Sequence, residues 1–145
     1  ANAFKKQLLE GDQNFSSSSG DVFKLALYTS SATLNSATTA YATNPGGGAN
    51  TEVANTGTYT AGGDPLAGQN TSIASGVAIV DFADLSFTGV TLTARGALIY
   101  NTSSAVTNAA VAVLDFGADK TATSGTFTVQ FPAFTTAAAI LRISG

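Results

Sequence analysis

The stretch Val22-Phe23-Lys24-Leu25-Ala26-Leu27-Tyr28 decides the fold class, because its apolar side chains recur at every second position. In an extended chain its residues divide between two faces: Phe23, Leu25 and Leu27 on one, and Lys24, Ala26 and Tyr28 on the other. This alternation predicts a half-buried antiparallel strand. The stretch from Thr126 to Phe131 alternates in the same way, with its two phenylalanines and a valine on one face and threonine and glutamine on the other.

Further segments of strand composition follow the first one, with glycine-rich turns between them. They are about Leu66 to Ser72, Val77 to Phe82, Thr91 to Tyr100, Ala109 to Phe116, Gly125 to Phe131 and Ala138 to Ile143, with a short one at Leu85 to Phe87. Seven or eight short strands are typical of an all-β protein. We therefore expect a single domain over residues 1–145, an antiparallel β-sandwich of the jelly-roll or Greek-key kind, with residues 1–20 as an N-terminal helix and linker.

The N-terminal helix is indicated by the segment from Ala3 to Glu10, in which Phe4 and Leu8 fall on one face. Asn2 is its predicted N-cap, and Gly11 is the predicted stop. A helix of about two turns is not stable alone. We expect it to dock either on its own domain or on a neighbouring molecule.

A long Gly/Ser/Thr-rich loop, residues 29–65, separates the first two predicted strands and includes Asn44-Pro45-Gly46-Gly47-Gly48. Loops longer than about 12–15 residues are uncommon in compact domains and are usually functional or disordered. We expect an arm that reaches across a surface, and a floppy surface loop is the alternative. Tyr41 and Tyr59 would anchor the arm, because tyrosine combines a large contact area with a polar end.

Charge is scarce in this chain, which has nine acidic and six basic residues among 145 and a net charge of −3. Ordinary soluble domains are roughly a quarter charged. A surface of Thr, Ser, Asn, Ala and Gly with few charges is easy to desolvate, which suits a protein that lies against neighbours in an assembly. The chain also lacks histidine and cysteine, the usual proton shuttle and thiol nucleophile, so we expect no enzyme.

The acidic residues include two close pairs, Asp81 with Asp84 and Asp115 with Asp119. Each pair lies at the end of a predicted strand, where carboxylates cap turns. Neither pair has the 12-residue spacing of a calcium-binding loop. The glycine run at 46–48 is followed by no lysine, so it does not predict a phosphate-binding loop. We predict no catalytic residue, metal site or cofactor.

The two arginines of the chain, Arg95 and Arg142, both fall in predicted strands. An unpaired buried charge is costly. We expect each arginine to face an acid, such as Asp81, Asp84 or Asp115, or to point out of the sheet at a partner chain.

The sequence favours neither a nucleic-acid partner nor a membrane partner. Its pI is about 4.5 and its basic residues are scattered, so it has no basic patch for nucleic acid. No apolar run approaches the roughly 20 residues of a membrane helix. The first ten residues carry Lys5, Lys6 and Glu10 and lead into no apolar segment, so we expect no signal peptide and synthesis in the cytoplasm.

Most of the apolar residues are expected to form the core, but Phe87, Phe134 and Tyr100 are expected to reach a partner. With the anchors of the helix and the arm, the predicted partner-contact residues are Phe4, Leu8, Tyr41, Tyr59, Phe87, Tyr100 and Phe134.

Six stretches carry a resemblance to a known family: FKKQLLEGDQNF (4–15), DVFKLALYTSSATLNSATTAY (21–41), YTAGGDPLAG (59–68), LTARGALIYN (92–101), AVAVLDFGADKTATSGTFTVQFP (110–132) and AILRI (139–143). The chain resembles small virion structural proteins of tailed bacteriophages, common among phages of cyanobacteria and marine bacteria. The resemblance implies a non-enzymatic component of the phage head, a cement or decoration protein. The chain departs from that family at residues 44–50, which look like a glycine-rich insertion.

The function we expect is that of a capsid cement protein, which binds the outer surface of the phage head and stabilises it. Its partners would be the major capsid protein and neighbouring copies of itself, as a dimer or a trimer. One alternative is a structural component of the tail, neck or fibre base, which copy number per particle would distinguish. Another is a β-sandwich that binds host glycans, since jelly-roll lectins share this architecture.

Overall fold

The computed structural model describes residues 1–145 and contains one short helix and seven strands. The elements are α1 (Asn2–Glu10), β1 (Phe23–Tyr28), β2 (Asp64–Pro65), β3 (Asn70–Ala74), β4 (Val77–Asp81), β5 (Leu85–Asn101), β6 (Ala109–Val129) and β7 (Leu141–Ile143). The strands form two antiparallel sheets, one in the order β2-β1-β5-β6 and the other in the order β3-β4-β7. The expectation of a mostly β protein with a short N-terminal helix is confirmed.

Two long strands form the larger part of the four-stranded sheet. β5 and β6 pair as a hairpin from Leu85 opposite Val129 to Asn101 opposite Ala109. Only the second half of β5 pairs with β1, from Phe23 opposite Asn101 to Tyr28 opposite Gly96. The first half of β5 is therefore free to bond with other parts of the chain on that side.

The length of β5 and β6 corrects the sequence-based strand boundaries. Two pairs of predicted strands are each continuous, because the glycines between them lie in bulges. Gly89 (φ +63°) lies where the β5–β6 register shifts, and Gly117 (φ +77°) lies opposite a second shift. Only glycine adopts such conformations readily, and bulges use it for that reason. The strand predicted at 66–72 is observed as β3, which begins and ends later in the chain. The strand predicted at 138–143 is observed as the shorter β7.

The helix α1 docks on its own chain, which settles the two alternatives left by the sequence. Phe4 is buried in the main hydrophobic cluster, and α1 packs against β6. Gly11 ends the helix in a left-handed conformation, as predicted. The predicted N-cap is wrong, because Asn2 is already helical and Ala1 holds the cap position without a side-chain bond. No helix here has the length and apolar composition needed to span a membrane.

Both faces of β1 are buried, whereas the sequence predicted a half-buried strand. Phe23, Leu25 and Leu27 belong to the main cluster, which also receives Phe4 and Phe82. The other face carries a second, smaller cluster, formed by Ala26, Tyr28, Leu98, Tyr100 and Ala110. The residues packed against this second cluster include Ala32, Leu34 and Tyr41, from the segment that connects β1 to β2. That segment therefore covers a face that the sequence assigned to solvent.

Candidate functional site

The covering loop, residues 29–63, is bonded along the edges of its own sheet. Its backbone bonds include Val53 N to Leu27 O (2.9 Å), Tyr41 N to Asn108 O (2.9 Å) and Thr58 N to Thr88 O (3.0 Å). These bonds reach β1, the turn before β6 and the first half of β5. The loop therefore lies across its own sheet, and these backbone bonds hold it there.

Glu52 of the covering loop lies at the centre of a polar cluster. It is only 8% exposed. Its Oε2 accepts a hydrogen bond from the Tyr41 hydroxyl (2.7 Å), and its Oε1 accepts bonds from the Tyr59 hydroxyl (3.1 Å) and the Gly62 N–H. No lysine or arginine forms a salt bridge with it. The carboxyl group is therefore satisfied by hydrogen-bond donors of its own loop.

The other two tyrosines of the chain lie against the same loop. The Tyr28 hydroxyl donates to Ala42 O (2.7 Å), and the Tyr100 hydroxyl donates to Gly62 O (2.6 Å). The rings of Tyr41 and Tyr100 stack with centroids 4.6 Å apart. All four tyrosines thus hold the covering loop against the sheet, each through an apolar ring and a bonded hydroxyl.

Burial sets the protonation state of this tyrosine cluster. Burial, together with the nearby Glu52 carboxyl, raises the pKa of Tyr100 to about 12. The pKa values of Tyr28, Tyr41 and Tyr59 are raised further, also chiefly by burial. The hydroxyls therefore stay protonated and remain donors at any pH near neutrality. The arrangement is suited to holding the loop in place.

Sequence reasoning named three members of this cluster, Tyr41, Tyr59 and Tyr100, as contacts to a partner. Tyr41 and Tyr59 do act as anchors of the loop, and they anchor it to its own sheet. Glu52 was missed, because a single glutamate in a polar loop matches no motif. The sequence does contain one indication of its role, because Glu52 is the only acidic residue among residues 29–63.

The seven predicted contact residues divide into a buried and a partly exposed group. Phe4, Tyr59, Phe87 and Tyr100 are buried within the chain. Leu8, Tyr41 and Phe134 are half-buried. Phe87 is fully buried and packs edge-on against Tyr59, and the hydroxyl of Tyr100 is bonded to the loop. Phe87 and Tyr100 are thus enclosed by their own chain, and contact of the seven residues with a partner stays a prediction.

The outer edge of β6 is open over most of its length. Its first residues are covered by Ala40, which bridges to Ala109, and by the Ala1 nitrogen, which donates to Val111 O (3.1 Å). From residue 112 to residue 129 no backbone bond reaches β6 from the side away from β5. Most side chains in the second half of this edge are exposed, and they include Thr121, Thr123, Thr126 and Thr128. This edge, residues 112–129, is called the open edge below.

Two of the four acids that were predicted to cap turns, Asp84 and Asp115, accept hydrogen bonds from backbone N–H groups. Asp84 Oδ1 accepts a bond from Phe131 N (2.8 Å), and Asp115 Oδ1 accepts one from Gly117 N (2.8 Å). Asp115 also faces Arg95, whose Nε lies 3.0 Å from Asp115 Oδ1 at the surface. The expected acid partner of Arg95 is thus confirmed. Arg142 is exposed, and its Nη1 donates to two backbone carbonyls.

We expect the pKa of the Asp115 carboxyl to lie below its usual value and to rise in the variant Arg95→Ala. The hydrogen bond from Arg95 holds this pKa down, with help from the Gly117 N–H. A lowered folded-state pKa adds stability above the ordinary pKa of aspartate, and this contribution is lost as pH falls through the folded pKa. Because the pair is exposed, the effect on overall stability should be slight.

An NMR titration of the Asp115 side chain measures this pKa directly. The matched control is Arg142→Ala, which removes an exposed arginine elsewhere and should leave the Asp115 titration unchanged. An identical Asp115 curve in the parent and in Arg95→Ala would contradict the assignment of the shift to this pair.

Comparisons with protein-family models, with curated proteins and with solved structures find no match to this chain.

Proposed function

We propose that this chain is a virion structural protein of a tailed bacteriophage, a cement protein that binds the outer surface of the head. The proposal is supported by the resemblance of its sequence to such proteins and by its low charge. Its partners are the major capsid protein and neighbouring copies of itself, with which it assembles as a dimer or a trimer on the particle.

The observation that carries this proposal is the open edge of β6. A strand edge with unpaired N–H and C=O groups is a template for a strand from another chain. Natural proteins that avoid such pairing place proline or several charges on the edge. The open edge contains no proline, and its charges are confined to Asp115, Asp119 and Lys120. Its last nine residues are uncharged and rich in threonine, which favours strand pairing.

We further infer that the two sheets are the layers of a β-sandwich of the jelly-roll or Greek-key kind. The chain passes between the sheets three times, after β2, β4 and β6. The main cluster also receives side chains from both sheets: Leu25 and Ile99 from the four-stranded one, and Val80 and Leu141 from the three-stranded one. A sandwich exposes the edges of its sheets, which is the geometry that the proposed assembly needs.

The variant Thr126→Lys is expected to bind phage heads much more weakly than the parent protein does. Thr126 is exposed on the open edge, so a lysine there adds charge to the edge without changing the core. The control is Thr107→Lys, which adds the same side chain at an exposed position in the turn between β5 and β6. Binding is measured by cosedimentation of each purified protein with heads that lack it. Equal binding of both variants would exclude the open edge as the contact.

The head-stabilising role is tested on particles from which the protein has been released. Heads without the protein should lose their genome at a lower temperature, and adding the protein back should restore their resistance. The copy number per particle locates the protein. A number comparable with that of the major capsid protein supports the head surface, and a few copies per particle would indicate the tail or neck instead. Stripped heads that are as heat-resistant as complete ones would exclude a cement function.

A further inference from the structure

An apolar cleft of about 490 Å³ lies between α1, the first part of β6 and the three-stranded sheet. Twelve of its 16 lining residues are hydrophobic. Phe4 and Leu8 line it from the helix, Ala112 from β6, and Ala78 from the small sheet. Small-molecule sites are commonly apolar clefts of about 300–1,000 Å³ with a few polar groups. The cleft has the size and lining of such a site.

Strand register shows which face of the small sheet looks into the cleft. Ala78 is paired with Ile73 on one side and Ile143 on the other, and Val80 is paired with Leu141. Paired residues share a face, and Val80 packs against the main cluster. This face is therefore the inner one. Part of this inner face is uncovered, because Ile73 is 72% exposed and Ile143 is 60% exposed.

The charge around the cleft is of one sign. Lys5 and Arg142 are the charged residues among its lining, and no acid lines it, although acids outnumber bases in the chain. Arg142 is paired with Ile79, so its side chain lies on the opposite face of the sheet, where it donates to the carbonyl oxygen of Ala137 (2.8 Å). Of these two charged side chains, Lys5 is therefore the one available at the cleft. It has no salt-bridge partner, whereas Lys6 beside it is paired with Glu10.

We propose that the cleft binds a free single-chain amphiphile with an anionic head, of the class of medium-chain fatty acids. The hydrocarbon chain lies among the side chains of α1, β6 and the inner face of the small sheet, and it removes their apolar surface from water. The carboxylate lies at the Lys5 ammonium. This proposal does not depend on the virion function, because the cleft shares only Ala112 and Val113 with the open edge and ligand binding is measured on the isolated chain.

The test uses dodecanoate, at concentrations below those at which it forms micelles, and isothermal titration calorimetry on the whole chain. We expect saturable binding of one dodecanoate per chain. Ala78→Leu fills the cleft from the small sheet, and Ala112→Leu fills it from β6, and each should weaken binding at least about tenfold. Ala74→Leu is the matched control, because Ala74 is paired with Val77 and lies on the outer face of the same sheet. It should leave the affinity unchanged.

The head-group contact is tested separately with Lys5→Gln. We expect this change to weaken dodecanoate roughly threefold, which is the effect of one exposed ion pair, and to leave dodecanol binding unchanged. Lys6→Gln is the control for loss of a charge on α1 and should affect neither ligand. Circular dichroism identifies any variant that fails to fold. If either Ala78→Leu or Ala112→Leu fails to fold, the other one provides the test of the cleft.

Three outcomes would overturn the proposal. The first is no saturable binding of dodecanoate by the parent chain. The second is binding that both Ala78→Leu and Ala112→Leu leave unchanged while they remain folded. The third is a cleft filled by a segment of a neighbouring protein in the assembled particle.

Discussion

Replacing Gly63 by alanine is expected to lower the free energy of unfolding by about 3 kcal/mol or more. Gly63 ends the covering loop with φ +68°, a left-handed conformation that costs a residue with a Cβ about 1–2 kcal/mol. A Cβ at this position would also overlap the carbonyl of Leu25 and approach the amide of Ala26. Both belong to the backbone of β1, which is buried on both faces and cannot move aside without disturbing its pairing with β5.

The matched control for Gly63→Ala is Gly47→Ala. Gly47 has a similar φ of +79°, but a Cβ there would meet nothing within 4 Å. Its replacement should cost only the conformational part, about 1 kcal/mol. Urea unfolding of the two variants and the parent measures the difference. Equal losses in both variants would mean that the loop does not approach β1 as closely as described.

Glu52→Ala is expected to destabilise the protein by about 3–5 kcal/mol. The change removes the acceptor of the Tyr41 hydroxyl, the Tyr59 hydroxyl and the Gly62 N–H in a buried site. A hydrogen bond to a charged group contributes about 1.5–3 kcal/mol, and an unsatisfied buried donor costs about 1–3 kcal/mol. Such effects within one cluster are not additive, so the total is smaller than the sum of the three bonds.

Two variants provide the comparison for Glu52→Ala. Glu10→Ala removes the other glutamate of the chain, which is paired with Lys6 on the exposed side of α1, and should change stability little. Glu52→Gln keeps one oxygen acceptor but places an amide donor against a hydroxyl, so its effect should be intermediate. Near-ultraviolet circular dichroism, which in this tryptophan-free chain reports chiefly on the tyrosines, should lose intensity in Glu52→Ala. A Glu52→Ala protein as stable as Glu10→Ala would show that the loop is held by other contacts.

The period-two signal predicted the strands because it is local. The alternation at Phe23, Leu25 and Leu27 identified β1 and its core face correctly. The same signal could not show that Ala26 and Tyr28 are also buried, because their cover comes from a loop folded back from elsewhere in the chain. A glycine in the sequence also does not distinguish a turn between two strands from a bulge within one strand, since a positive φ occurs in both.

The candidate site was harder to predict than the fold, because it depends on contacts between distant residues. Gly62 donates its N–H to Glu52 and accepts the Tyr100 hydroxyl at its carbonyl oxygen. Tyr100 reaches Gly62 only when the covering loop lies on the sheet. The apolar cleft was also not foreseen. Its inner face depends on the register of β4 with β3 and β7, and single-residue shifts in register would exchange the two faces.

The pairing of β1 with β5 has a consequence for synthesis of the chain on the ribosome. β1 emerges early, but its partner, Gly96–Asn101, is made only after the covering loop, β2, β3, β4 and most of β5. Until then, an apolar strand destined for burial on both faces has only the covering loop and the two-residue β2 beside it. Non-local pairing such as that of β1 with β5 is slow. The hairpin of β5 and β6 is the most local large element of the sheet and can form first. The nascent chain is therefore most prone to aggregation in the interval before that hairpin captures β1.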